Sequence, residues 1–251
     1  MKFLHIADLH LGIQVHEFSM LEEQRHILGQ IQDLAKAHKV DAVLIAGDVY
    51  DRGIPGVEAV KLLDGFLSGL PCPVCMIGGN HDSGDRLQFG SAFMRKQGFF
   101  VEGTPVKPLF HADFRDRYGT VEVWMLPFVR PETARPLGYS GTSFQEALDF
   151  MLEDLPEPGE NRRVLMAHQY VVSDRLADLA LEDQTVGGID CIRASSFKGF
   201  DYVALGHIHS ASRVEGGPIC YSGSPLKYSF SEALQVKCAV LVEMRKRETC
   251  V

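Results

Sequence analysis

The chain has 251 residues, 45% of them hydrophobic and 23% charged, and a formal net charge of -8, a balance that allows one large core and excludes a protein holding nucleic acid by broad basic surfaces alone. No apolar run approaches the roughly 18 residues that span a bilayer, and the N-terminus lacks the basic-then-apolar layout of a signal peptide. Cys72, Cys75, Cys191, Cys220, Cys238 and Cys250 form no regular framework, so a reducing cytoplasm is the expected compartment.

Phe3-Leu4-His5-Ile6 opens the chain as a strand over 2–7. Leu21, Ile27, Leu28, Ile31, Leu34 and Ala35 recur at helical spacing and predict a helix from about Phe18 to His38. A strand over 42–46 is followed by Pro55, suited to a first helical turn, and a helix through about Leu67. Leu70-Pro71 and Pro73 punctuate the turn into a strand over 74–78. Residues 85–98, with Leu87, Phe89, Phe93 and Met94 apolar, read as another helix. Strands are expected at 99–102, 107–111, 121–126 and 163–167, a helix at 144–155, and a surface turn at 156–160. Residues 170–200, polar and broken by Gly187-Gly188, are the least regular part, expected as an excursion on the substrate side. Repeating β-α units followed by strand-rich sequence predict an α/β fold of two packed mixed sheets flanked by helices, one domain over 1–251.

Five polar clusters stand where strands end: Asp8-Leu9-His10, Gly47-Asp48-Val49-Tyr50-Asp51-Arg52, Gly79-Asn80-His81-Asp82, Ala167-His168 and Gly206-His207-Ile208-His209. Aspartate, histidine and asparagine are hard or borderline ligands for divalent ions, and strand ends in an open α/β sheet point toward one crevice. A lone histidine after a strand is more often a hydrogen-bonded residue than a ligand. Five clusters in one chain, each behind an apolar run, make a divalent-metal centre the expectation. Cys72-Pro73-Val74-Cys75 fits a C-x-x-C pattern, but Cys75 falls inside a strand and no second pair exists, so core packing is the reading. His5, His16, His26, His38 and His111 fall in no cluster and are read as structural or solvated, and Met244-Arg245-Lys246-Arg247-Glu248 as a solvated tail.

In the order D-x-H, GD-x-x-D-R, GNHD, H and GH-x-H, these clusters resemble the calcineurin-like metallophosphoesterases. Within that superfamily the likeness to the SbcD nucleases runs further, through Asp8-Leu9-His10-Leu11-Gly12, Val186-Gly187-Gly188, the run from Gly199 to His207, and Tyr221-Ser222-Gly223-Ser224-Pro225-Leu226-Lys227-Tyr228-Ser229-Phe230-Ser231-Glu232. The resemblance implies two divalent ions, manganese being expected, bridged by Asp48. Asp8, His10 and His209 would complete one site, and Asn80, His168 and His207 the other. It implies that His81 contacts the phosphate and protonates or stabilises the departing alkoxide, and that Asp51 orients His81. Arg52 is read as either a phosphate contact or a structural salt bridge.

The same resemblance implies a two-metal-dependent DNA exo/endonuclease acting on single strands or ends, the nuclease subunit of a DNA repair complex with an SbcC-type ATPase, with two copies forming the nuclease centre. Members of that group continue into a DNA-capping domain and ATPase-binding helices, which these 251 residues are expected to lack. The competing expectation is a small-substrate phosphodiesterase acting on nucleotides or other phosphoesters. A non-catalytic binding module is disfavoured by the intact ligand set together with His81.

Overall fold

Side-chain alternation along the first strand sets the layers of the fold, seen in a computed structural model that describes residues 1–183 and 190–246. In β1 (Lys2–Ile6), Leu4 and Ile6 join a core beneath helices, whereas Phe3 and His5 face a second sheet. A hairpin follows, β2 (Gln14–Val15) and β3 (Phe18–Ser19), and then α1 (Leu21–His38). β4 (Ala42–Ala46) repeats the division, with Val43 and Ile45 toward the helices and Ala42 and Leu44 inward. After α2 (Val57–Ser68) comes β5 (Val74–Ile77), then α3 (Gly84–Leu87), α4 (Ser91–Met94) and β6 (Phe99–Glu102). β1, β4, β5 and β6 are parallel, so the ends that follow β1, β4 and β5 open on one edge.

The second half builds the facing sheet. β7 (Phe110–Asp116) and β8 (Gly119–Leu126) form an antiparallel pair, and α5 (Pro131–Ala134) and α6 (Phe144–Leu152) precede β9 (Arg162–His168). Next come β10 (Val171–Val172), α7 (Asp174–Asp183) and β11 (Ile192–Arg193), then β12 (Tyr202–Gly206), β13 (Ser212–Arg213), β14 (Ile219–Tyr221) and β15 (Val240–Glu243). The sheet orders are β15-β1-β4-β5-β6 and β13-β14-β12-β9-β8-β7. Val164 and Met166 of β9 pack against the first sheet, and Leu165 and Ala167 pack outward with Leu148 and Met151 of α6. Each fully buried large side chain of this kind stabilises by about 1.5–3 kcal/mol relative to exposure. Two packed mixed sheets flanked by helices are thus the architecture expected from the sequence.

Three expectations need correction. Residues 18 and 19 belong to the hairpin, because His16 and Glu17 turn the chain at φ 47° and 71°, and the helix starts only at Leu21. The helix expected over 85–98 breaks at Gly90, φ 77°, into two short pieces and a 3-10 turn at Arg95–Gln97, leaving Phe89 and Phe93 exposed. The stretch 170–200 is more regular than expected, since α7 and the parallel pair β10 and β11 organise its described part. Gly187-Gly188 and the end of the basic tail, Arg247 and Glu248, lie outside the described residues. Cys75 is buried in β5, and its burial pushes the thiol up, as core packing requires. Among the described residues no helix is long and apolar enough to cross a membrane.

Candidate metal centre

Loops after β1, β4 and β5 meet the ends of β9 and β12 across the gap between the sheets. Reaching that gap forces the backbone into an unusual shape, with Asp8, His10, Asp48 and His207 at φ 54°, 42°, 47° and 97°. Non-glycine residues seldom adopt this left-handed region, and it clusters where side chains are held for function. Gly47, φ 88°, is required for a second reason: a Cβ there would collide with the His168 ring.

The side chains converge closely. Asp48 lies at the middle, its Oδ2 3.3 Å from His168 Nε2 and 3.6 Å from His10 Nε2, while Oδ1 accepts the His81 backbone N–H at 2.8 Å. On one side His10 Nε2 faces His209 Nε2 at 3.1 Å. Asp8, His10 and His209 can each offer one donor atom within 4.8 Å of the others. On the other side Asn80 Oδ1 lies 3.1 Å from His168 Nε2 and 3.0 Å from His207 Nδ1. Asp8, Asp48 and His168 form a further donor group, and His10, Asp48 and His81 a third. His207 and His209, with one residue between them, approach different partners, His207 facing Asn80 and His209 facing His10.

This donor set fits a pair of divalent cations. His209 Nδ1 lies 3.1 Å from the Glu232 carboxylate and must carry a proton toward it, so the neutral ring presents its lone pair at Nε2. Burial lowers His10 to about 3, so that ring is neutral and holds a single proton. Placing that proton on Nε2 would satisfy the approach to His209 but leave a bare, buried Nδ1 facing the Asp51 carboxylate 3.9 Å away. A shared ion of ligand distance near 2.1 Å separates adjacent donors by about 3 Å and lets His10 keep its proton on Nδ1, toward that carboxylate. Charge points the same way. Burial pushes Asp8 up to about 6, against the pull of His168. Burial acts to lower His168, yet Asp48 and Asp8 carry it up to about 9. The buried carboxylates demand positive charge at the centre, which a proton on His168 or a cation can meet.

His81 projects to solvent beside this group, its ring 4.7 Å from that of His10 and nearly perpendicular. Its Nδ1 donates to the Asp51 backbone carbonyl at 3.0 Å, leaving Nε2 as the outward nitrogen. The Asp51 carboxylate does not contact that ring as expected: it accepts from Arg52 Nε at 3.3 Å and lies 3.9 Å from His10 Nδ1. Arg52 is exposed, with its Nε beside the Asp51 carboxylate.

Four supporting side chains escaped the sequence reading. Asp82 accepts backbone N–H groups of Val49, Tyr50 and Gly79 at 2.9–3.0 Å, pinning the second and third clusters together. Gln24 of α1 donates to the carbonyls of Leu9 and His10 and accepts from Gly12 N–H. Tyr228 hydroxyl donates to Leu9 O at 2.6 Å. Glu232, 5% exposed, meets His209 and Lys237. Tyr228 and Glu232 lie within the long 221–232 stretch singled out above, which was the available signal. Asp82 closes the third cluster, so its signal was membership of that motif, whereas Gln24 had none.

With this geometry in place, comparisons with known proteins are informative. Residues 1–211 match the family model described as calcineurin-like phosphoesterase. The SbcD subunit of the SbcCD nuclease of Staphylococcus epidermidis is 32% identical over 245 residues, covering 94% of this chain and 64% of that protein. The Staphylococcus saprophyticus protein of the same description is 31% identical over 263 residues, covering 99% of this chain and 67% of the relative. The chain therefore spans about two thirds of the length of these curated relatives. Among solved structures, a dimetal phosphatase from Danio rerio aligns with a TM-score of 0.53 at 15% identity, covering 89% of this chain and 87% of that one, a likeness of fold.

Proposed function

The chain belongs to the calcineurin-like phosphoesterase family, and from that membership we propose that it is a two-metal-dependent DNA nuclease of the SbcD type. The observation that carries the metal part is the approach of His10 Nε2 and His209 Nε2 to 3.1 Å beside Asp48. In this reading Asp48 would lie between two ions, with Asp8, His10 and His209 available to hold one and Asn80, His168 and His207 the other. Manganese is the proposed ion, because a mixed set of carboxylate, amide and imidazole donors suits it. Once bound, the ions supply Lewis-acid charge to the scissile phosphate and acidify the attacking water.

The protein's own groups do the rest. Asp48 and Asp8 hold negative charge where two cations must sit close together, and the Gly47 bend brings Asp48 between the sheets. His168 is aimed by its Nδ1 donating to Ala46 O at 2.8 Å, which leaves Nε2 toward the centre. His81, with Nδ1–H tied to the Asp51 carbonyl, presents Nε2 to the phosphate, and in its doubly protonated form it gives the Nε2 proton to the departing alkoxide, keeping the Nδ1 proton. Asp51 acts on His81 through its main chain.

The substrate is proposed to be DNA, single-stranded or at ends, with an SbcC-type ATPase as partner and two copies of this chain in the assembly. Support comes from the two staphylococcal relatives, each named as the SbcD part of an SbcCD nuclease. The net charge of -8 favours a second reading, a phosphodiesterase for nucleotides or other small esters, since an acidic surface grips a long polyanion poorly. Cleavage of labelled single-stranded DNA, cyclic nucleotides and phosphomonoesters at matched concentrations in manganese separates them. DNA cleavage that vanishes on chelation is the expected result. Strong preference for a small ester with no DNA cleavage would overturn the nuclease.

A further inference from the structure

Of the imidazoles around Asp48, His209 is oriented by a carboxylate from a distant segment. Glu232 lies in the 3-10 turn Phe230–Glu232, 23 residues further along the chain, and its Oε1 accepts from His209 Nδ1 at 3.1 Å and from Ser229 Oγ at 3.2 Å. Its Oε2 accepts from Lys237 Nζ at 2.6 Å, with the Tyr228 N–H at 3.4 Å and Ser224 Oγ at 3.5 Å. Lys237 also donates to the His209 carbonyl at 2.8 Å, so one lysine clamps both the histidine's backbone and the carboxylate that aims its ring.

We propose that Glu232 is a positioning residue that sets the tautomer of His209 and thereby the metal affinity of the Asp8–His10–His209 pocket, leaving the Asn80–His168–His207 pocket untouched. This rests on the assignment of His209 as a ligand. A carboxylate accepts only, so His209 must place its proton on Nδ1 and direct the Nε2 lone pair toward His10. The two carboxylate oxygens are not equivalent. Oε2 is surrounded by donors led by the Lys237 ammonium, whereas Oε1 serves the ring. In a Glu232→Gln variant the amide oxygen therefore takes the Oε2 place and the NH2 group faces His209 Nδ1. The ring must then accept at Nδ1 and carry its proton on Nε2, directed into the metal pocket. A change of one heavy atom, with no change of shape, inverts the ligand.

The test uses nitrogen-resolved NMR of histidine in the metal-free protein together with calorimetric titration with manganese. Wild type should show His209 protonated at Nδ1 and bind two ions. Glu232→Gln should show the Nε2-protonated form and bind one ion as wild type does, with the second weakened by about 10–100-fold, the scale of losing a partner behind a ligating histidine. Lys237→Arg, which keeps a cation on Oε2 and the carboxylate on the ring, should keep the Nδ1 tautomer and both ions. An Nε2 proton in wild-type His209, an unchanged tautomer and unchanged affinities in Glu232→Gln, or an equal loss in Lys237→Arg would overturn the proposal. The two-ion reading fails separately, if wild type with the Nδ1 tautomer binds a single ion at saturation.

Discussion

The two sheets bring different chemistry to the same gap. The first contributes the carboxylates Asp8 and Asp48 together with His10 and Asn80, and the second contributes imidazoles alone, His168, His207 and His209. Acidic groups of the first sheet are fixed by donors: Asp48 by the His81 N–H, Asp8 by the His207 N–H at 2.9 Å, and the neighbouring Asp82 by three amides. Imidazoles of the second are fixed from behind by acceptors, the Ala46 carbonyl for His168 and Glu232 for His209. An anion can be held by any amide that reaches it. An imidazole is useful as a ligand only when an acceptor on one nitrogen leaves a lone pair on the other.

The sharpest break in this comparison is Asp48→Ala, which removes from the first sheet the one group lying between both sets of histidines. Hydrolysis of bis(p-nitrophenyl) phosphate in manganese should fall on the order of 1000-fold or more, since the centre acts as a unit. Bound manganese measured by elemental analysis should drop for both ions. Asn80→Ala should lose mainly one. Equal losses of metal in the two variants would mean that Asp48 does not bridge.

His81 comes next, because it stands on a first-sheet loop yet is an imidazole tied to a carbonyl, like those of the second sheet. His81→Ala should lower turnover by about 100-fold, the scale of losing a general acid, with manganese content near wild type. The loss should shrink for a diester with an excellent leaving group. A variant that sheds its metal would identify His81 as a ligand, the role that its grouping with His10 and Asp48 also allows.

These two residues were legible in the sequence because the polar clusters that hold them stand at strand ends, so position along the chain anticipates position in space. The same holds for Asp8, Asn80, His168, His207 and His209, and for the two-sheet architecture, whose strands alternate cleanly between inner and outer faces. What could not be read was remote support. Glu232 reaches His209 only through the turns that carry the chain past β14, and Gln24 reaches the D-x-H loop from the first turn of α1. The Asp51 contact was not legible in detail, because a residue name says nothing of whether its carboxylate or its carbonyl will face a ring, and here the carbonyl does. The hairpin at 14–19 was missed because His16 and Glu17 take left-handed conformations without a glycine to announce them.

Asp82 tests the first-sheet rule without touching a ligand. Asp82→Ala leaves the amides of Val49, Tyr50 and Gly79 without their acceptor. Urea unfolding of the metal-free protein should show a loss of about 2–4 kcal/mol, the scale of unsatisfied buried donors. Asp82→Asn, which retains one acceptor oxygen, should lose less. Equal stability of Asp82→Ala and wild type would show that water replaces the carboxylate and that the two clusters are held by packing instead.

The smallest expected effect concerns the polar bond that joins the sheets away from the centre, His5 Nδ1 of β1 with Tyr202 hydroxyl of β12 at 3.0 Å. His5 is fully buried, and burial lowers it to about 3. The unfolded chain protonates this histidine near pH 6.5, whereas the folded chain does not until far lower, so between those values the unfolded state binds the extra proton. Stability from this group is therefore complete above about pH 6.5 and is lost as pH falls, by about 2 kcal/mol at pH 5. His5→Met removes that titration. Urea unfolding in chelator at pH 7.5 and pH 5 should show the variant losing less on acidification than wild type by about that amount, whatever its absolute stability. Identical pH slopes would mean that His5 takes up a proton in place, with Tyr202 as its acceptor, and that the core between the sheets is wet enough to hold a charge.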